Sequence, residues 1–85
     1  MQISNPILIQ IGNNVRSRRK ASSLSQEQLA LKAGLDRTYV GGVERGERNI
    51  AVLNLCRLAQ ALEVQPWQLL EDVVWNEESE NKDSK

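Results

Sequence analysis

The chain has no histidine and no phenylalanine, and in 85 residues only one cysteine, two prolines, two tryptophans and one tyrosine. Without histidine and with a single thiol, the usual ligand spacings of structural zinc cannot be assembled, and Cys56 has no internal disulfide partner. In its apolar-periodic stretch, Cys56 reads as a small buried hydrophobe. No apolar run approaches the length of a bilayer span, and no basic-then-apolar leader opens the chain, so a reducing, cytoplasmic setting with no membrane partner is expected. There is no nucleotide-binding glycine loop and no spacing that pairs two carboxylates, so neither enzyme activity nor a metal or cofactor is expected. The scarcity of aromatics leaves the core to Leu, Ile, Val and Ala, which suits short helices packed closely in one all-α domain.

Charge of one sign is also missing overall, since eleven basic residues balance eleven acidic ones. The distribution is uneven. Residues 1–50 carry eight basic against four acidic side chains, net +4, and residues 51–85 carry three against seven, net −4. The chain is a dipole whose positive half holds its most informative segment.

That segment is Ser25 to Gly46. Ser25 is a good N-cap, with Gln28 placed to complete a capping box. Ala30 offers the small side chain that two steeply crossing helices need at their contact, and Gly34 supplies a left-handed corner. Asp36 caps the next helix. Val40 and Val43 turn one face of it inward, leaving Arg37, Thr38, Gly41, Gly42 and Arg45 on the other. This is a helix-turn-helix pattern, whose second helix is expected to enter a major groove. The free N–H groups at the start of the first of these helices, near Gln26, are suited to a phosphate oxygen.

Around it the periodicity predicts a first helix from Pro6 to Ala21, with Ile7, Leu8, Ile11, Val15 and Arg19 on one face and Arg16, Arg18 and Lys20 exposed. A fourth helix is predicted from about Ala51 to Leu62, with Val52, Leu55, Cys56, Ala59 and Leu62 inward, and Asn49 as an alternative cap to Ala51. Pro66 opens a fifth, including Trp67, Leu69 and Leu70. The apolar set Leu69, Leu70, Val73, Val74 and Trp75 either folds back on the core or forms a dimer interface, and its position beside an acidic tail favours the interface. Residues 1–75 are expected to form the DNA-binding and dimerisation domain, and 76–85 a disordered tail.

The runs Leu24-Ser25-Gln26-Glu27-Gln28-Leu29-Ala30, Gly34-Leu35, Val43-Glu44-Arg45-Gly46 and Leu58-Ala59-Gln60-Ala61-Leu62 resemble the phage-repressor-like, Xre/Cro-type helix-turn-helix regulators of bacteria, over about residues 7 to 71. The stretch Asp36 to Asn49 is similar to the small controller proteins of restriction-modification systems. The resemblance implies a five-helix, lambda-repressor-like domain binding an inverted-repeat operator as a homodimer, with Gln26 on a phosphate, Arg37 and Thr38 on base edges, and Arg19 paired with Glu44.

Arg37 is the first choice for base readout, because its fork in the first helical turn matches guanine O6 and N7; Thr38 is the second. Tyr39, Arg45, Arg48 and Asn49 join Gln26 as backbone-positioning groups. Gly41 and Gly42, each costing roughly 0.8–1 kcal/mol in a helix, are expected to let the backbone approach bases closely, the alternative being that nothing is read there. Transcriptional activation would need a surface for RNA polymerase, for which Glu47 and the acidic residues after Leu70 are candidates. A rival reading is an antitoxin-like interaction module that uses the fold as a scaffold.

Overall fold

The computed structural model describes residues 5–76. Four α-helices are followed by one turn of 3-10 helix: α1 Pro6–Ala21, α2 Gln26–Ala33, α3 Arg37–Glu44, α4 Val52–Leu62 and the 3-10 segment Pro66–Leu70. Each boundary has a local cause. Asn5 accepts a hydrogen bond from the Ile7 N–H ahead of Pro6, whose missing N–H costs nothing in the first turn. At α2 the capping box is complete: Ser25 Oγ accepts from the Gln28 N–H, and the Ser25 N–H donates to Gln28 Oε1. Gly34 ends α2 in the left-handed conformation, φ 71°, and lets the Leu35 N–H return to the Ala30 carbonyl at 2.9 Å. Asp36 then accepts from the Thr38 N–H and starts α3.

α3 packs on α1 and α2, α4 on α2, and the 3-10 segment closes the base against α1 and α4. Leu29, Leu58, Leu69, Val15 and Val40 are fully buried where these elements meet, and Ala30 is buried at the helix crossing. Burying each of these larger aliphatics contributes about 1.5–3 kcal/mol. Gly12 in α1 sits where that helix crosses the end of α3; a Cβ there would stand 2.4 Å from the Val43 carbonyl oxygen and 2.7 Å from that of Glu44.

Several expectations are corrected. The expected fifth helix is a short 3-10 segment, ended by a turn in which Asp72 is left-handed, φ 64°, and the Val73 N–H donates to the Leu70 carbonyl at 3.1 Å, after which the chain lies along α1. The Gln10 amide holds both the N–H and the C=O of Val74, at 2.9 and 3.2 Å, and Asn14 donates to the carbonyls of Leu69 and Glu71. With Arg18, which pairs with the Glu71 carboxylate at 3.2 Å, these form one stripe at i, i+4, i+8 that straps residues 69–74 to α1. Leu69, assigned to a dimer interface, is sealed in the core of its own chain. Val52, assigned to the inner face of α4, is exposed, since α4 begins at that residue and its buried side is Leu55, Leu58, Ala59, Ala61 and Leu62. Cys56 is half-buried on the border of that face. Ala51 precedes α4 with no side-chain cap, and Asn49 does not replace it. The tail from residue 77 onward lies outside the described residues.

Candidate nucleic-acid interface

Arg37 and Thr38 occupy the first turn of α3 and are exposed. Among the described residues no carboxylate pairs with Arg37, so its fork is available. Tyr39, next along, is half-buried: its hydroxyl accepts from Asn54 Nδ2 at 3.2 Å, Asn54 Oδ1 accepts from Arg57 at 2.8 Å, and the Arg48 guanidinium lies 5.5 Å from the centre of its ring. Tyr39 therefore reaches the surface as a post braced by α4. Asn54 and Arg57 were not anticipated, because contacts between α3 and α4 leave no trace in helical periodicity.

Gly41 and Gly42 do not bare the backbone. Both are buried, because two arginines that follow α3 fold back over them. Arg45 Nη1 comes within 3.1 Å, and Gln26 Oε1 within 3.5 Å, of where a Cβ on Gly41 would stand. Cγ and Nε of Arg48 come within 3.0 and 3.2 Å of the same position on Gly42. The glycines form a notch that seats arginine stems, a third possibility beside close approach and idle tolerance. The chain turns back after α3 because Gly46 is left-handed, φ 77°, and packs directly on Ile9 of α1, with the Glu47 N–H donating to the Gly42 carbonyl at 2.9 Å. Arg45 Nε donates to Glu47 Oε2 at 3.0 Å, which strengthens the guanidinium's hold on its proton. Asn49 is exposed beyond this turn.

Behind this surface, the side chain of Glu44 is 0% exposed. Its Oε2 accepts from Arg19 Nε at 2.6 Å, and its Oε1 from Arg19 Nη2 at 3.1 Å and Gln26 Nε2 at 2.9 Å, with Arg16 Nε at 3.5 Å. Burial by itself pushes this carboxyl up. The hydrogen bonds from Arg19, Gln26 and Arg16 and the charge of Arg19 outweigh burial and hold it below the ordinary value of 4.5. The pair Arg19–Glu44 is thus present, with two further donors. One of them, Gln26, is the residue expected on a phosphate, and Glu44 orients its amide. Of the acidic candidates for a polymerase surface, Glu47 is paired with Arg45 and Glu71 with Arg18, and those from residue 77 onward lie outside the described residues.

Two capped helices at a left-handed glycine corner, with exposed polar groups on the first turn of the second, define a helix-turn-helix DNA-binding domain. The family model described as Helix-turn-helix matches residues 15–66. Control protein C.SmaI of Serratia marcescens is 52% identical over 60 residues, 71% of each chain. Control protein C.BamHI of Bacillus amyloliquefaciens is 41% identical over 70 residues, 81% of this chain and 86% of that one. Among solved structures, the restriction-modification controller protein C.AhdI from Aeromonas hydrophila is 52% identical with a TM-score of 0.72, covering 73% of this chain and 94% of its own. SinR, described as the master regulator for biofilm formation and solved in complex with DNA, is 31% identical with a TM-score of 0.69, covering 72% and 98%. The chain belongs to the helix-turn-helix family and is a DNA-binding transcriptional regulator with restriction-modification controller proteins among its relatives.

Proposed function

We propose that the chain binds an inverted-repeat operator as a homodimer in the cytoplasm and regulates transcription as the controller protein of a restriction-modification system. The observation that carries this reading is the placement of Arg37 and Thr38, exposed and free of any carboxylate partner among the described residues, on the first turn of a helix whose opposite face is locked to α1 and α2. Arg37 grips a guanine edge and Thr38 contacts a neighbouring base, while Gln26, Tyr39, Arg45, Arg48 and Asn49 fix the register on phosphates. The glycine pair contributes by seating Arg45 and Arg48. One short reading helix covers few base pairs, so a second copy is needed for a site of useful length. The dimer face is built from Leu70, Val74 and Trp75 with neighbouring Trp67, while Val73, expected there too, packs partly against the chain's own core; Trp67 and Trp75 are each 62% exposed, a large apolar exposure for so small a domain. The restriction-modification assignment rests on the similarity to the two control proteins.

The test is selection of bound sequences from random duplex DNA, followed by titration of the winning site at two salt concentrations. A palindromic site bound far more tightly than random DNA is expected, its half-site spacing giving the dimer geometry. Absence of any enriched site would refute the operator reading.

A further inference from the structure

Glu47 is the one carboxylate among the described residues that pairs with an arginine of the reading surface. The other acidic groups of the positive half have different work: Glu44 is sealed beneath the surface, Asp36 caps α3, and Glu27 lies in the first turn of α2. The left-handed turn at Gly46 folds Glu47 back beside the last turn of α3, where its Oε2 accepts from Arg45 Nε at 3.0 Å. The far end of the same guanidinium lies over Gly41 beside Gln26 Oε1. Arg45 is therefore laid across the reading helix toward the start of α2, where the DNA backbone is expected to run. Toward Arg45 Nε, the Glu47 carboxylate holds the place that a phosphate oxygen would take.

We propose that Glu47 is a specificity-determining residue: an internal stand-in for phosphate that keeps Arg45 occupied until a DNA backbone in the right register displaces it. The inference rests on the DNA-binding reading. An exposed ion pair of this kind is weak, so a phosphate delivered to Arg45 by correct docking replaces the carboxylate readily. On random DNA the register is loose and affinity is almost wholly electrostatic. There the carboxylate withholds one cation from the phosphates and sets a like charge beside them. The device weakens binding to random DNA more than to operator.

The experiment measures fluorescence anisotropy of a random-sequence duplex and of the selected operator between about 50 and 200 mM salt, with the wild-type chain, E47Q, R45Q and the double variant. Because residue 47 lies in a turn near the surface, folding is checked by a thermal melt of each variant. E47Q is expected to bind random duplex roughly 1.5- to 5-fold tighter at low salt, the range of one exposed ion pair, with a salt slope steeper by about 0.9, the release of one further phosphate counterion. Its gain on operator is expected to be smaller, narrowing the ratio between the two. In the R45Q background, removing the carboxylate should produce no gain. An unchanged slope for E47Q, or an equal gain with and without Arg45, overturns the inference while leaving DNA binding intact. A wild-type chain that binds neither duplex overturns the DNA-binding reading and this one with it.

Discussion

Arg37 has no carboxylate partner among the described residues while Arg48 folds over Gly42 and the Tyr39 ring, and the two are expected to fail differently when truncated. Arg37→Ala removes a fork with no internal partner and should cost about 1–3 kcal/mol on the cognate site while relaxing choice at one base position. Arg48→Ala should weaken all sequences alike and lower the salt slope by about 1. Equal loss on operator and random DNA for Arg37→Ala would remove it as a base reader. Glu44 supplies a second prediction, read in stability. Its folded carboxyl is held below its ordinary value, so the ionised form stabilises the fold fully above pH 4.5. As pH falls below that value, the unfolded chain takes up a proton that the folded chain refuses, and the contribution is lost until pH has passed through the lowered value. Denaturant titrations from pH 6 to pH 3, approximately, should show the wild type losing stability more steeply than Glu44→Gln, which is weaker at neutral pH and flatter in acid. Parallel curves would mean that the four donors around this carboxylate do not set its acid sensitivity. Arg19 and Glu44 were identified from the sequence by family resemblance; Arg16 and Gln26 on the same carboxylate were not, since three helices have to be assembled before the donors converge.

Three glycines test what the helices require of one another. In Gly42→Ala the new Cβ meets only the stem of Arg48, a flexible side chain that can give by a few tenths of an ångström, and Gly41→Ala likewise meets the end of Arg45. Each is expected to stabilise the fold by up to about 0.8–1 kcal/mol through helix propensity, while displacing an arginine from its seat and weakening DNA binding. Gly12→Ala meets backbone oxygens instead, which cannot move without parting α1 from α3. It should destabilise by about 1–3 kcal/mol or more. Thermal melts of the three variants decide: a neutral Gly12→Ala would contradict the close crossing, and unchanged DNA affinity in the α3 variants would contradict the seating role. Local chemistry made the element boundaries legible, with α1, α2 and α3 all falling where Pro6, Ser25, Gly34 and Asp36 direct; the Asn5 cap ahead of Pro6 is added by the structure. The last element is not legible in the same way, because the Gln10, Asn14 and Arg18 stripe that ties this segment down lies some 53 to 64 residues away in the chain.

At the scale of the molecule, the net +4 of the first fifty residues is not all directed at DNA. Arg19 turns inward to Glu44, Arg16 reaches the same carboxylate from the surface, Arg18 binds the strap and Lys32 lies 3.9 Å from Glu63, which leaves Lys20 on the far end of α1 and Arg37, Arg45 and Arg48 on or beside α3. The apolar groups Trp67, Leu70, Val74 and Trp75 remain exposed around the 3-10 turn and the strap. Val74→Glu alters a side chain that is 60% exposed and leaves its backbone bonds to Gln10 available, so the fold should survive while the proposed dimer is lost. Sedimentation should report a monomer, and operator affinity should fall together with the mass. An unchanged mass would place the dimer contact elsewhere.

The helical class, the caps of α2 and α3, the corner at Gly34 and the first-turn position of Arg37 and Thr38 are legible along the chain, because these depend on groups within about four residues of one another. That Leu69 is core, that residues 69–74 are strapped to α1, that Tyr39 is braced from α4, and that Gly41 and Gly42 seat Arg45 and Arg48 emerges only on packing. Each of these outcomes depends on which surfaces meet when separate helices pack, and on where long side chains fold back once the turn at Gly46 has reversed the chain.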